Sequence, residues 1–236
     1  MKTTLLIPTL NEIVGVKAIM PLIKKEWYDQ LLFVDGNSTD GTLEYIREKG
    51  YEVVVQKQKG MRFAYMEVWP YIKGDIVVTF SPDGNSIPEL IPECAKKVKE
   101  GYDMAIVSRY AQGAKSEDDD PVTGFGNWVF TNILINCLHG SKYTDAMVIY
   151  RAYRKNLPYE LGLEKNEAYE WAERTFNTRV SWEPLLSIRA ARRKLKITEI
   201  PGDEPKRIGG KRKLQILPWG AVFLWQTIRE MFIKEY

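Results

Sequence analysis

The sequence predicts an α/β domain with a mostly parallel central sheet flanked by helices, closed by a C-terminal amphipathic helix. Three observations carry this. Apolar, β-branched runs such as Leu31–Val34 and Asp75–Phe80 recur between stretches of helical spacing through the first 108 residues. Each run stops at a cluster of Asp, Asn, Gly, Ser or Thr, the residues that make turns. The connections are short, as strand–helix–strand units with right-handed crossovers require.

Thr3–Ile7 reads as the first strand, followed by Pro8-Thr9-Leu10-Asn11-Glu12 and a helix to about Lys25. Leu31–Val34 is the second and ends in Asp35-Gly36-Asn37-Ser38-Thr39-Asp40-Gly41-Thr42, before a helix at Leu43–Lys49. Tyr51–Val55 is the third strand, with a helix over Met61–Ile72. The fourth, Asp75–Phe80, reads as buried and stops at Ser81-Pro82-Asp83-Gly84-Asn85-Ser86. A helix follows over Ile87–Glu100, with Ser86 as its cap, Pro88 in its first turn and Glu89 complementing its dipole. Met104–Ser108 is the fifth strand.

Beyond Arg109 the pattern loosens. Residues 110–122 read as a polar surface loop, with Glu117-Asp118-Asp119-Asp120 solvated rather than metal-binding. Gly126–Leu138 is an apolar helix, and Val148–Tyr150 a strand after Thr144-Asp145-Ala146-Met147. Helices fit Glu164–Phe176 and Trp182–Arg193, and a strand fits Leu195–Ile200. A basic glycine loop over 202–213 leads into an aromatic helix at Leu214–Phe232.

Composition narrows the function. At 236 residues, 44% hydrophobic and 12% aromatic, the chain suits one large domain with an appendage. With 34 basic and 31 acidic residues the net charge of +3 gives no reason to expect nucleic acid. Cys94 and Cys137 fall in apolar helical patterns and are expected as buried thiols of a reducing compartment, hence a cytoplasmic protein. A single histidine, His139, argues against a His/Cys metal site. Met1–Lys2 leads straight into a strand, so no secretory leader is expected, and no apolar run approaches the roughly 20 residues that span a bilayer.

The chemistry gathers in three acidic loops: Asn11-Glu12, Asp35 through Asp40, and Asp83 with Asn85. In a parallel sheet all three converge on one edge, where such folds bind ligands. Carboxylates there can accept from ribose hydroxyls and a base, and Asp83 with Asn85 can hold a hard divalent cation whose shell is completed by phosphate and water. Lys59-Gly60-Met61-Arg62 opens a helix, placing amide dipoles and Arg62 to face a diphosphate. Neither GxGxxG nor a Walker P-loop is present, which argues against a dinucleotide enzyme or an ATPase.

Pro8–Glu12 (PTLNE), Val34–Thr42 (VDGNSTDGT), Ser81–Asn85 (SPDGN), Val107–Tyr110 (VSRY), Thr144–Lys155 and Ile197–Pro201 (ITEIP) form an ordered series. This series resembles the family-two inverting glycosyltransferases of GT-A fold, and within them the dolichol- and polyprenyl-phosphate sugar transferases. The resemblance covers about residues 3–215. It implies a GT-A domain over 1–212, with a nucleotide-binding half at 1–108 and an acceptor half at 109–212, and a helix over 213–236. It implies a nucleotide diphosphate-sugar donor, a divalent cation (Mg2+ or Mn2+), and a lipid-phosphate or glycan acceptor. Pro8, Asn11 and Glu12 would line the nucleotide pocket and Asp35 would hold the base. Asp83 would meet metal and diphosphate, with Asn85 at a metal-ligand position. Arg109 would meet a phosphate, Asp145 would sit at the reaction centre, and Arg207 and Lys211 would close over the diphosphate or the acceptor phosphate.

Two departures from the family pattern bear on mechanism. Ser81 stands where the family has aspartate, so the metal site keeps less charge. Residues 122–126 (VTGFG) lack the arginine that the family aims at the lipid phosphate. A phosphate nucleophile needs no base, whereas a hydroxyl does; for a hydroxyl, Asp145 is the first candidate, then Glu167 or Glu170. A transferase acting on a saccharide hydroxyl and a non-catalytic nucleotide-sugar-binding subunit are the rival readings; a nucleotidyltransferase lacks the expected glycine-arginine loop after the first strand. Finally, the basic stretch into Pro218, Trp219, Phe223 and Trp225 suits a helix lying at the cytoplasmic face of a membrane through 206–232, or one packed on the domain or on the second copy of a homodimer.

Overall fold

The computed structural model describes residues 1–209 and 215–234. One sheet runs in the order β3-β2-β1-β4-β6-β5-β7. Its strands are β1 (Thr3–Thr9), β2 (Gln30–Asp35), β3 (Glu52–Val55), β4 (Ile76–Thr79), β5 (Met104–Ser108), β6 (Arg151–Arg154) and β7 (Ile197–Pro201). β6 is antiparallel to both its neighbours, β4 and β5, and every other pairing is parallel. Six strands therefore point the same way, and their carboxyl ends share one edge. Because β6 is inserted between β4 and β5, the two halves of the chain build one sheet.

The helices are α1 (Ile13–Ile19), α2 (Thr42–Glu48), α3 (Met61–Val68), α4 (Ile91–Lys99), α5 (Pro121–Trp128), α6 (Leu157–Glu160), α7 (Glu170–Thr175), α8 (Glu183–Arg192) and α9 (Ile216–Phe232). α5 runs on as a π-helix over Val129–Cys137. All seven residues of β1 are buried, as befits a strand covered on both faces. Strand periodicity sends Leu6, Leu32 and Val77 to one core with Tyr65, Trp69 and Trp182, and Leu5, Ile7 and Val78 to the other with Val16, Ile91 and Cys94. Trp182 stacks on Tyr65 at 4.7 Å and meets Trp69 edge-on at 5.1 Å.

Several expected boundaries shift, each for a local reason. α1 stops at Ile19 and α3 at Val68, short of Lys25 and Ile72, because Pro21 and Pro70 turn the chain into single 3-10 turns. Ser86 is not a cap: its hydroxyl goes to Asn85 Oδ1 at 3.2 Å, and the helix opens with a 3-10 turn at Pro88–Leu90. The strand expected at Val148–Tyr150 begins at Arg151, since Met147, Val148 and Ile149 run along the cleft wall. α5 starts at Pro121, inside the expected loop, because Asp120 and Thr123 form a capping box. Asp118 and Asp119 are not solvated either; they pair with Arg207 and Arg109. Cys94 is buried and its thiol pushed up to about 12 by desolvation, but Cys137 is exposed, contrary to expectation.

α9 is anchored through its buried side. Glu230, fully buried, accepts from Arg189 at 2.9 Å and Arg192 at 3.0 Å on α8, and Phe223 meets Phe130 of the π-helix edge-on at 6.1 Å. Its outer side leaves Leu217 84% and Phe232 76% exposed. The helix thus packs on the domain with one face and presents apolar residues with the other. Among the described residues no helix is long and apolar enough to cross a membrane.

Candidate active site

The three acidic loops do meet at the cleft, and hydrogen bonds tie the first two together. Thr9 Oγ1 donates to Asp35 Oδ2 at 2.8 Å, and Ser38 donates its backbone N–H to Asp35 Oδ1 at 2.8 Å and its hydroxyl to Oδ2 at 2.7 Å. Asn11, in the left-handed region at φ 53°, accepts from the Thr39 N–H through Oδ1 at 2.8 Å. The Glu12 N–H donates to Thr42 Oγ1 at 2.9 Å. Asp35 and Asn11 are thus occupied in shaping their loops. Pro8, Glu12, Gly36 and Asn37 line the cleft beside them, whereas Asp35, wholly buried, does not.

That cleft holds about 950 Å³. Its polar lining includes Glu12, Ser81, Asp83, Asn85, Arg109 and Arg207. Its apolar lining includes Val122, Phe130 and Val148, and Ile216, Trp219 and Phe223 of α9, with Phe223 meeting both Phe130 and Trp219 edge-on. Asp83 is only 5% exposed, and the 202–209 segment folds over it. Arg207 Nη2 lies 3.3 Å from both Asp83 Oδ2 and Asp118 Oδ2, and the Ile208 N–H donates to the Asp83 carbonyl at 2.8 Å. Arg207, expected to close over a phosphate, thus pairs with Asp83 and Asp118 at the cleft; Lys211 lies outside the described residues.

Two glycines allow this close packing. A Cβ on Gly84, at φ +88°, would meet Ile208 at 2.4 Å, and one on Gly15 of α1 would meet the Pro82 carbonyl at 2.3 Å. Gly15→Ala should push the Asp83 loop out of place, costing about 1–3 kcal/mol of stability and roughly 10²-fold in kcat. Urea unfolding and initial rates on the same preparation measure both.

Arg109 is another cationic group lining the cleft. Asp145, wholly buried, grips it bidentately: Arg109 Nε to Oδ2 at 2.6 Å and Nη2 to Oδ1 at 3.0 Å. Nη1 turns to Glu204 at 3.3 Å and Asp119 at 3.6 Å. Burial alone would lower the guanidinium pKa, but the Asp145 charge and hydrogen bonds outweigh it and hold it well above the usual range. Asp145 is not among the groups lining the cleft, which corrects its expected place as a base facing an acceptor: it stands behind Arg109 and orients it. Glu167 and Glu170 are exposed and outside the cleft, on a solvated surface.

Arg62 is also corrected. It is 2% exposed and sandwiched between the Phe63 and Tyr169 rings, with Nη1 on Asn166 at 2.9 Å and Nη2 on Glu173 at 3.4 Å. It faces the core rather than a diphosphate. Glu204, absent from the sequence candidates, does line the cleft. It reaches Arg109, Ser116 and Asn85, and burial raises its carboxyl pKa. A lone glutamate in a basic loop gave no signal.

The residues fit a cation shared with substrate rather than one caged by protein. Asp83 offers a carboxylate and Asn85 an amide oxygen, and no group of three His, Cys, Asp or Glu converges among the described residues. Such a sparse oxygen set suits Mg2+ or Mn2+ completed by phosphate oxygens and water.

A mostly parallel sheet whose strand-end loops gather at one edge places its ligand site there. The chain belongs to glycosyl transferase family 2, whose profile it matches over residues 4–162. It is 29% identical over 187 residues to glycosyltransferase AglJ of Haloferax volcanii, covering 75% of this chain and 60% of that one. It is 31% identical over 144 residues to a dolichol-phosphate mannosyltransferase of Pyrococcus furiosus, covering 58% of this chain and 38% of that one. The chain thus spans less than two thirds of the length of these two relatives. Among solved structures, glucosyl-3-phosphoglycerate synthase from Mycobacterium tuberculosis, crystallised with Mn2+, UDP and glucosyl-3-phosphoglycerate, superposes with a TM-score of 0.63 at 19% identity. That alignment covers 98% of this chain and 79% of the other, and at such identity it speaks for the GT-A-like fold alone.

Proposed function

We propose that this glycosyltransferase moves a sugar, with inversion, from a nucleotide diphosphate-sugar to a membrane-associated acceptor, a polyprenyl phosphate first. The single observation behind this is the mixed lining of one cleft: a charged group with Asp83, Arg109 and Arg207, and an aromatic group with Phe130 of the π-helix in contact with Phe223 and Trp219 of α9. A charged diphosphate suits the first and a hydrocarbon chain the second. Relatives named as dolichol-phosphate and undecaprenyl-phosphate sugar transferases support the same choice.

In this reading Pro8, Glu12, Gly36 and Asn37 take the nucleoside, and Asp83 with Asn85 would hold the divalent cation. The cation supplies charge neutralisation to the departing diphosphate. Arg207 closes over the same phosphates, and Arg109, fixed by Asp145, adds positive charge where the glycosidic bond breaks. A phosphate acceptor is already ionised and needs no base, which agrees with Asp145 facing Arg109. The exposed apolar side of α9, following the basic 206–213 stretch, would rest against the cytoplasmic face of the membrane.

One observation favours a hydroxyl acceptor instead: Val122, Thr123 and Gly126 line the cleft without a cation where a lipid phosphate would need one. Initial rates with undecaprenyl phosphate against soluble glycans decide. Transfer to the lipid phosphate at least about tenfold faster is expected; transfer to glycans alone overturns the lipid-phosphate choice.

A further inference from the structure

The inner side of α5 and its π-helical extension carries polar residues at helical spacing, Thr123, Asn127 and Thr131, all buried. Two have structural tasks. Thr123 closes the helix cap with Asp120, and Thr131 Oγ1 accepts from the Ala146 N–H at 3.2 Å. Asn127, between them, is 9% exposed, and its Oδ1 is buried with no hydrogen-bond partner among the described residues. Native proteins rarely leave such an atom without a reason, because desolvating it is unfavourable. The π-helix that begins two residues later is itself a feature enriched at functional sites.

Asn127 stands in the wall shared by the main cleft and a side chamber of about 220 Å³. Tyr110, Gly124, Trp128, Asn132 and Thr144 complete that chamber. Several other polar groups there are committed: Tyr110 to Asp119, Asn132 Nδ2 to the Trp128 carbonyl at 3.1 Å, and Thr144 Oγ1 to Glu199 at 2.7 Å. The chamber adjoins the reaction centre, since Tyr110 follows Arg109 and Thr144 precedes Asp145. None of its six residues is a cation, so an ionised phosphate would find no counter-charge in it. A sugar hydroxyl suits it better: it can donate to Oδ1 and accept from the amide, while the ring's C–H face covers Trp128.

We propose that Asn127 determines specificity by hydrogen-bonding a hydroxyl of the sugar held beside Arg109, with the side chamber receiving that part of the ring. This rests on the glycosyltransferase reading above. The hydroxyl belongs to the transferred sugar or to a sugar on the acceptor, and the two sources separate by experiment.

Asn127→Leu and Asn127→Asp are compared with the native protein. Calorimetry with Mn2+ sets UDP against UDP-glucose and GDP against GDP-mannose, and initial rates vary octyl glucoside. Asn127→Leu should bind the bare nucleotide as the native protein does. It should lose about tenfold of the affinity that the sugar adds, or raise the octyl glucoside KM about tenfold. The first outcome assigns the donor sugar and the second an acceptor sugar. Asn127→Asp, which keeps an acceptor oxygen, should stay within about threefold of native in both assays. The melting temperature of Asn127→Leu should match or exceed the native one, because an unpartnered buried polar atom is removed.

The proposal is overturned if Asn127→Leu leaves both assays unchanged, or if Asn127→Asp loses as much as Asn127→Leu, which marks a phosphate partner. It is also overturned if Asn127→Leu melts more than about 5 °C lower, which marks a structural amide. A native protein that binds nucleotide but gains nothing from either sugar and does not use octyl glucoside overturns it too. Failure of the native protein to bind any of these four ligands, or CDP or dTDP, instead removes the nucleotide-sugar donor proposed above, and this proposal with it.

Discussion

Asp83→Ala should lower kcat by about 10³-fold or more while leaving the domain folded, because in the proposed mechanism its carboxylate meets both cation and diphosphate. The fold should survive for a local reason. The link between the 81–85 loop and the strap runs through the Asp83 carbonyl and the Ile208 N–H at 2.8 Å, which the substitution keeps. Arg207 retains Asp118 at 3.3 Å. Asp83→Asn, with the same shape and no charge, should be nearly as inactive. Donor hydrolysis and transfer rates, with circular dichroism to confirm the fold, measure this; near-native turnover in either variant would contradict the role.

Arg109→Ala should have the largest effect on stability. It strips the bidentate partner from Asp145, which has no solvent exposure, and leaves Glu204 and Asp119 facing the same space with no guanidinium between them. Breaking a buried pair by removing one partner typically costs about 3–5 kcal/mol. Arg109→Lys restores the charge but not the two-pronged grip, so it should recover only part of the loss. Urea midpoints for the three proteins test this ranking. Transfer should fall in both variants, and an Arg109→Ala protein as stable as native would show that the Asp145 pair does not hold the site together.

The sequence carried the architecture well because strand and turn signals are local. Asp75–Phe80 and the turn formers after it placed the central strand and its ligand loop, and the structure keeps both. Errors came where tertiary context overrode pattern. Arg62 at a helix start looked like an anion ligand, yet Phe63, Tyr169 and Glu173, the last two more than 100 residues away, draw it into the core. Asp145 looked like a base because its motif placed it at the reaction centre, but motif position does not reveal that Arg109 occupies both its oxygens. The acidic run at 117–120 read as solvated because its partners, Arg109 and Arg207, are distant in sequence or belong to another loop. One local signal was overlooked: Asp120-Pro121 with Thr123 is a helix start. Nothing in the sequence marked Glu204 or Asn127, since burial and neighbourhood define both.

The central claim, a nucleotide diphosphate-sugar site completed by a cation at Asp83, is tested most directly by thermal shift. UDP, GDP, CDP and dTDP are each added with and without Mn2+ to the native protein and to Asp83→Asn. At about 100 times Kd a ligand stabilises by about 2.7 kcal/mol, which for a domain of this size raises the melting temperature by roughly 5–10 °C. The account predicts such a rise for at least one nucleotide, larger with Mn2+, and a Mn2+-dependent part that vanishes in Asp83→Asn. No rise with any nucleotide, or a rise that ignores both Mn2+ and Asp83, would contradict it.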